Sequence, residues 1–216
     1  MMDILLYVST GFIIFSFLMY LLIILFGRNK FVSENNSSSI AKDMLSFSND
    51  INIIESRNYL TAYSIKRRII KIDTSCYYGN DLSSVVLSLI EVGIFWVDNN
   101  KNKYIDFFRN IFSNLKVLYI FPVLSIIINH LSFNVSDAKV SIIFFLIFCI
   151  TTYIYIDIKS QARLFVFDNL KKIEDISEDN YINIMNYINR LLWVDKFILF
   201  GQLLMVLRMV IIVLGV

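Results

Sequence analysis

Residues Ile4–Phe26 read ILLYVSTGFIIFSFLMYLLIILF, 23 positions without a single charge. Wound as an α-helix this run is about 34 Å long, enough to cross the hydrocarbon core of a bilayer. It follows Met1, Met2 and Asp3, and it ends against Gly27, Arg28 and Lys30. With no basic residue ahead of it, the run reads as an uncleaved signal anchor rather than a secretory leader. Basic residues continue after it as Lys42, Arg57, Lys66, Arg67, Arg68, Lys71, Lys101, Lys103 and Arg109. Lys and Arg gather on the cytoplasmic side of membrane proteins, so the N-terminus is expected outside and segment 27–112 inside.

Three more apolar runs lie further along. Val117–Phe133 carries Pro122, Asn129 and His130, Val140–Ile156 is rich in Ile and Phe, and Phe197–Val216 is interrupted by Gly201, Gln202, Arg208 and Gly215. Only Asn134–Lys139 separates the middle two, which therefore read as a helical hairpin. Spans at 4–26, 117–133, 140–156 and 197–216 put segments 27–112 and 157–196 in the cytoplasm and both termini outside. The expected fold is a mostly α, multi-pass integral membrane protein with four transmembrane helices and a small cytoplasmic α+β portion. Its first partner is the lipid bilayer.

Composition supports this class. Of 216 residues, 57% are hydrophobic and only 18% charged, with a formal net charge of +2. Mean hydropathy is +0.64. So small a charge excess gives no field for binding nucleic acid, and none is expected. Cys76 and Cys149 have no CxxC partner, which excludes a zinc ribbon, and the single His130 cannot build a multi-histidine metal site.

The long cytoplasmic segment has structure of its own. Ile40, Ala41, Met44 and Leu45 are spaced for one helical face, with Ser38 or Ser39 as cap. Ile51–Glu55 and Arg68–Asp73 read as two strands and Tyr77-Tyr78-Gly79-Asn80 as a turn. Asp81 or Ser83 then caps a helix over 82–97, and Lys101–Phe112 has an amphipathic pattern. In segment 157–196, Asp168–Asp179 forms an acidic break. Ile182, Met185, Ile188, Leu191 and Leu192 form a stripe after it.

Helix 82–97 is the most informative element. From Val85 to Val97 it is apolar almost all round, so it should be buried, yet Glu91 sits in its middle. A buried carboxylate needs a partner or a proton. A structural glutamate paired with a nearby Lys or Arg meets that need without any catalysis.

Together these residues resemble the bacterial membrane-bound neutral zinc metallopeptidases. That family has a tyrosine-containing turn with Gly-Asn, then a helix bearing His-Glu-Val-Gly-His. Here the turn is Tyr77-Tyr78-Gly79-Asn80 and the five helix residues are Ile90-Glu91-Val92-Gly93-Ile94. The order of the N-terminal span, the Ile40–Leu45 helix, the two strands and the hairpin is also similar. Asp157-Ile158-Lys159-Ser160-Gln161-Ala162-Arg163 falls where the family carries its third-ligand glutamate, and Asn189 and Arg208 fall on similar positions. The resemblance implies a zincin-like cytoplasmic portion in a bacterial-type cell membrane, with Glu91 as remnant general base. Ile90, Ile94 and Asp157 are then the degenerate ligand positions, with Gly93 and Arg163 as further site residues.

The departures point away from catalysis. Histidines four apart on a helix grip zinc while the glutamate between them deprotonates the metal-bound water. Isoleucine has no lone pair to offer. The expectation is a catalytically inactive pseudo-peptidase that binds a membrane-protein or other protein partner, with no cofactor. The alternatives are an active membrane metallopeptidase with a nonstandard zinc site and a membrane scaffold.

Overall fold

The structure is a computed structural model that describes residues 2–45, 52–57, 61–100, 102–113, 115–173 and 176–215. Its helices are α1 (Met2–Arg28), α2 (Ser37–Leu45), α3 (Thr74–Tyr77), α4 (Leu82–Asn99), α5 (Lys103–Ile111), α6 (Ile120–Leu131), α7 (Val135–Leu170) and α8 (Glu178–Leu214). A 3-10 turn, Leu115–Tyr119, precedes α6. Strands β1 (Asn52–Ser56), β2 (Ala62–Ser64) and β3 (Ile69–Asp73) form one sheet in the order β1-β3-β2, with β1 parallel and β2 antiparallel to β3.

Four helices are long and apolar enough to cross a membrane: Asp3–Arg28, Leu82–Asn99, Val135–Leu170 and Glu178–Leu214. Among the described residues, three of them contain the expected runs 4–26, 140–156 and, as far as Leu214, 197–216, and Leu82–Asn99 takes the place of the expected run 117–133. In Leu82–Asn99, 83% of the apolar window is buried inside the protein, against 28%, 44% and 39% in the others, so α4 is a core helix and not a lipid-facing one. The expected span at 117–133 is instead a 3-10 turn joined to a 12-residue helix of about 18 Å. Pro122 explains the break. In the first turn of α6 it lacks the N–H that would bond back to the Leu118 carbonyl, so the α-helical ladder does not extend back through that turn.

Helical backbone continues past the expected span limits at 156 and 197. The helices α7 and α8 run through them, at 36 and 37 residues. Hydropathy marks where apolar side chains stop, whereas a backbone ladder continues through polar residues that favour helix. The first helix of segment 27–112 is capped by Asn36, whose Oδ1 accepts from the Ser39 N–H at 2.9 Å, and not by Ser38 or Ser39. Asp81 caps α4 as expected. Between the two expected strands a third, β2, appears. Tyr77 closes the short helix α3 instead of opening a turn. The expected stripe in α8 is displaced: Ile182 is exposed, and the buried face runs through Ile184, Tyr187, Ile188 and Leu191. Ile51, Lys101, Glu174, Asp175 and Val216, which belong to the expected elements, lie outside the described residues.

The chain divides into two compact units. Unit 1 comprises Met1–Leu21, Val117–Ile156 and Trp193–Val216, and unit 2 comprises Leu22–Lys116 and Asp157–Leu192. Unit 1 packs Ile13, Ala138, Phe145, Phe148, Met205, Met209 and Ile212 at its centre. Gly201 lets two helices approach closely, since a Cβ there would lie 2.8 Å from Ile13 Cγ1. Its outward faces carry Leu18, Ile143, Ile147 and Leu203, each about half exposed or more. A surface of that kind suits a hydrocarbon surrounding.

Polar groups of unit 1 turn inward. Arg208 is 2% exposed, and its Nη1 donates to the Asn129 carbonyl at 2.6 Å and to Asn129 Oδ1 at 3.0 Å. The Asn129 amide donates in turn to Ser9 Oγ at 3.2 Å. Three stretches far apart in sequence are thus joined by one asparagine. Asn129→Leu should destabilise detergent-solubilised protein by about 1–2 kcal/mol, because it removes the side-chain acceptor of the guanidinium and the bond to Ser9, leaving only the backbone carbonyl. The check is the SDS fraction at the unfolding midpoint in mixed micelles. An unchanged midpoint would show that the cluster does not hold these helices together.

Candidate functional site

Unit 2 is built around α4. Its buried faces include Val85, Val86, Leu89, Ile90, Glu91, Val92, Ile94, Phe95 and Val97. An 18-residue helix buried on nearly every side must find a partner for each polar side chain it carries. Ser88 bonds back to the Ser84 carbonyl at 2.9 Å and meets Ser37 Oγ at 3.1 Å.

Glu91, 3% exposed, commits both carboxylate oxygens. Oε1 lies 3.1 Å from Lys116 Nζ, and Oε2 accepts the Tyr63 backbone N–H at 2.7 Å. The Lys116 ammonium also donates to the Thr61 carbonyl. Neighbouring strand residues aim their backbone groups at opposite edges, so Tyr63 N–H and the Thr61 carbonyl share the β2 edge turned away from β3. The Glu91–Lys116 pair therefore occupies the hydrogen-bonding positions that an added strand would use.

A second acid lies two turns further along α4. Asp98 is 2% exposed, accepts the Tyr63 hydroxyl and forms an ion pair with Arg109 of α5. Burial, and then the hydrogen bond to Asp98, push the Tyr63 hydroxyl far above the usual tyrosine range, so it stays protonated and donates to Asp98. Tyr63 thus touches both buried acids of α4, one through its backbone and one through its ring.

The other sequence-derived positions are placed as follows. Ile90 and Ile94 are 9% and 2% exposed, so the two ligand positions of the resemblance are dry packing surface. Gly93 faces Ala162, and a Cβ there would lie 2.6 Å from the Ala162 carbonyl oxygen. That contact brings the Asp157–Arg163 stretch of α7 against the helix of Glu91. Asp157 itself accepts from Gln161 Nε2 at 2.8 Å, and Gln161 in turn accepts from Asn102 Nδ2 at 3.2 Å. Arg163 lies over the Phe167 ring at 4.6 Å. Among the described residues no hydrogen bond or ion pair joins Asp157 to Glu91, and His130 bonds only to the Ile126 carbonyl of its own helix.

These residues do not fit zinc. No group of three His, Cys, Asp or Glu that could hold a metal exists among the described residues. Glu91, the general-base position of the resemblance, faces an ammonium at one oxygen and an amide N–H at the other. Isoleucines flank it where nitrogen donors would stand.

Family models, curated proteins and solved structures were compared with the chain. None matches.

Lys116, Tyr63 and Asp98 were not legible as site residues. One signal existed for Lys116, a lone cation at the mouth of an apolar run, but nothing in the spacing ties it to a carboxylate 25 positions earlier.

Proposed function

We propose that this chain is a multi-pass membrane protein related to the neutral zinc metallopeptidases, whose catalytic position has been converted to structure and whose work is to bind a membrane or protein partner. The spans are α1, residues 115–131, the apolar half of α7 and that of α8, with the termini outside a bacterial-type cell membrane. The observation that carries the reading is the state of Glu91. Its two oxygens are taken by Lys116 and the β2 edge, and isoleucines stand on either side. Each oxygen of Glu91 is held by a donor of the protein itself, which makes the carboxylate an ion-pair partner and a strand-edge acceptor rather than a group presented to a substrate. The closed β2 edge also removes the backbone positions at which an extended peptide would add as a strand.

The experiment measures zinc per chain and metal-dependent cleavage of unfolded protein in detergent. Zinc well below one per chain is expected, with no chelator-sensitive cleavage. Glu91→Gln should cost about 1–2 kcal/mol of stability and change no proteolysis. Cleavage lost both to a chelator and to Glu91→Gln would replace this reading with the active peptidase.

A further inference from the structure

The helix α5 carries more apolar surface than the core of its unit uses. Ile105 and Phe108 are buried. At about 100° per residue, Tyr104, Phe107 and Ile111 fall on an adjoining arc roughly 60° wide. They are 48%, 60% and 53% exposed. The charges keep to the other side of the helix, where Arg109 pairs with Asp106 and with Asp98.

The hairpin between β2 and β3 brings its tip to the C-terminal end of this helix. The Ile65 N–H donates to the Ser113 carbonyl at 3.1 Å, two residues beyond Ile111. Lys66, Arg67 and Arg68 come next and are all exposed. Arg68 holds φ at +52°, a left-handed conformation uncommon for a residue with a side chain. Two residues after Ser113 the chain enters the apolar run 115–131.

An apolar, aromatic-rich stripe next to three exposed cations is costly to display to water and suited to a bilayer interface. Rings settle at headgroup depth there, and ammonium and guanidinium groups meet phosphate. The geometry points to α5 as an anchor lying in the plane of the membrane, with Lys66, Arg67 and Arg68 binding the phosphates of anionic lipids. The inference rests on the reading of 115–131 as a span, which holds the end of α5 within a few residues of the bilayer surface.

The test uses the full chain with Cys76→Ala and Cys149→Ser. A polarity-sensitive fluorophore is attached at Phe107→Cys or, in a second preparation, at Leu18→Cys on the exposed face of α1. Vesicles are phosphatidylcholine alone, or phosphatidylcholine with roughly one-third phosphatidylglycerol. Quenching by headgroup-level nitroxide lipids is expected at 107 and by deep nitroxides at 18. Replacing Lys66, Arg67 and Arg68 with Gln should reduce quenching at 107 about twofold or more in the anionic vesicles and remove the difference between the two mixtures. Deep quenching at 18 with a water-exposed probe at 107 overturns the anchor and leaves the spans standing. No quenching at either position overturns the spans and the anchor together. A probe at 107 that is shielded from nitroxides and crosslinks to a second protein overturns the anchor in favour of a protein contact.

Discussion

Lys116→Met should destabilise the protein by about 3 kcal/mol, the most of any single charge removal in unit 2. The substitution keeps most of the side-chain volume and deletes only the ammonium. Glu91 is then left as a buried carboxylate with one amide N–H and no counter-charge. The converse change is milder. In Glu91→Gln the amide oxygen still accepts from Tyr63, and Lys116 keeps its bond to the Thr61 carbonyl. The double variant Glu91→Gln, Lys116→Met should recover most of the loss. Denaturant midpoints of the four proteins give the answer. Equal losses in both single variants, with no rescue in the double, would mean that the pair does not act as one.

Gly93→Val is the second large effect. The atoms a Cβ would meet are the Ala162 carbonyl oxygen at 2.6 Å, Ala162 Cβ at 2.8 Å and Ala162 C at 3.0 Å. Two of the three are backbone, so no rotamer change relieves the clash and the two helices must part. A loss at or above about 3 kcal/mol is expected, appearing as poor folding yield, and Gly93→Ala should lie nearer 2 kcal/mol. Gly11→Ala is the matched control. Nothing lies within 4 Å of its added methyl, and the change should be neutral or stabilising by up to about 1 kcal/mol. If Gly93→Val folds as well as Gly11→Ala, the close crossing of α4 and α7 is wrong.

Both effects show what a single sequence discloses. A lone acid among apolar residues is visible as a debt, so the need for a partner at Glu91 could be read. The creditor could not, because side-chain pairing across 25 residues leaves no periodic trace. Asp81 could be read as a cap because an acidic residue immediately before an apolar run has few other local uses. The cap at Asn36 was hidden by three serines after it that compete for the same role. The strand β2 spans three residues, too short to show alternation. Its position is fixed by β3 on one edge and by α4 side chains on the other, which are tertiary facts. The continuity of α7 and α8 through polar residues was not legible, because hydropathy reports solvent preference and not backbone continuity.

The interleaving of the two units has a consequence for biogenesis. Unit 2 is made from residues 22–116 and 157–192, and 40 residues of unit 1 are synthesised between them. A nascent chain that has emerged only as far as Asn100 already carries α4, with an acid at 91 and no ammonium to meet it. Lys116 arrives with the first residues of an apolar run, and the Ala162 surface that covers Gly93 arrives only after the next run has been made. The core of unit 2 therefore closes after two apolar segments have left the ribosome. A chain stalled between 117 and 156 should expose α4 to chaperones and proteases.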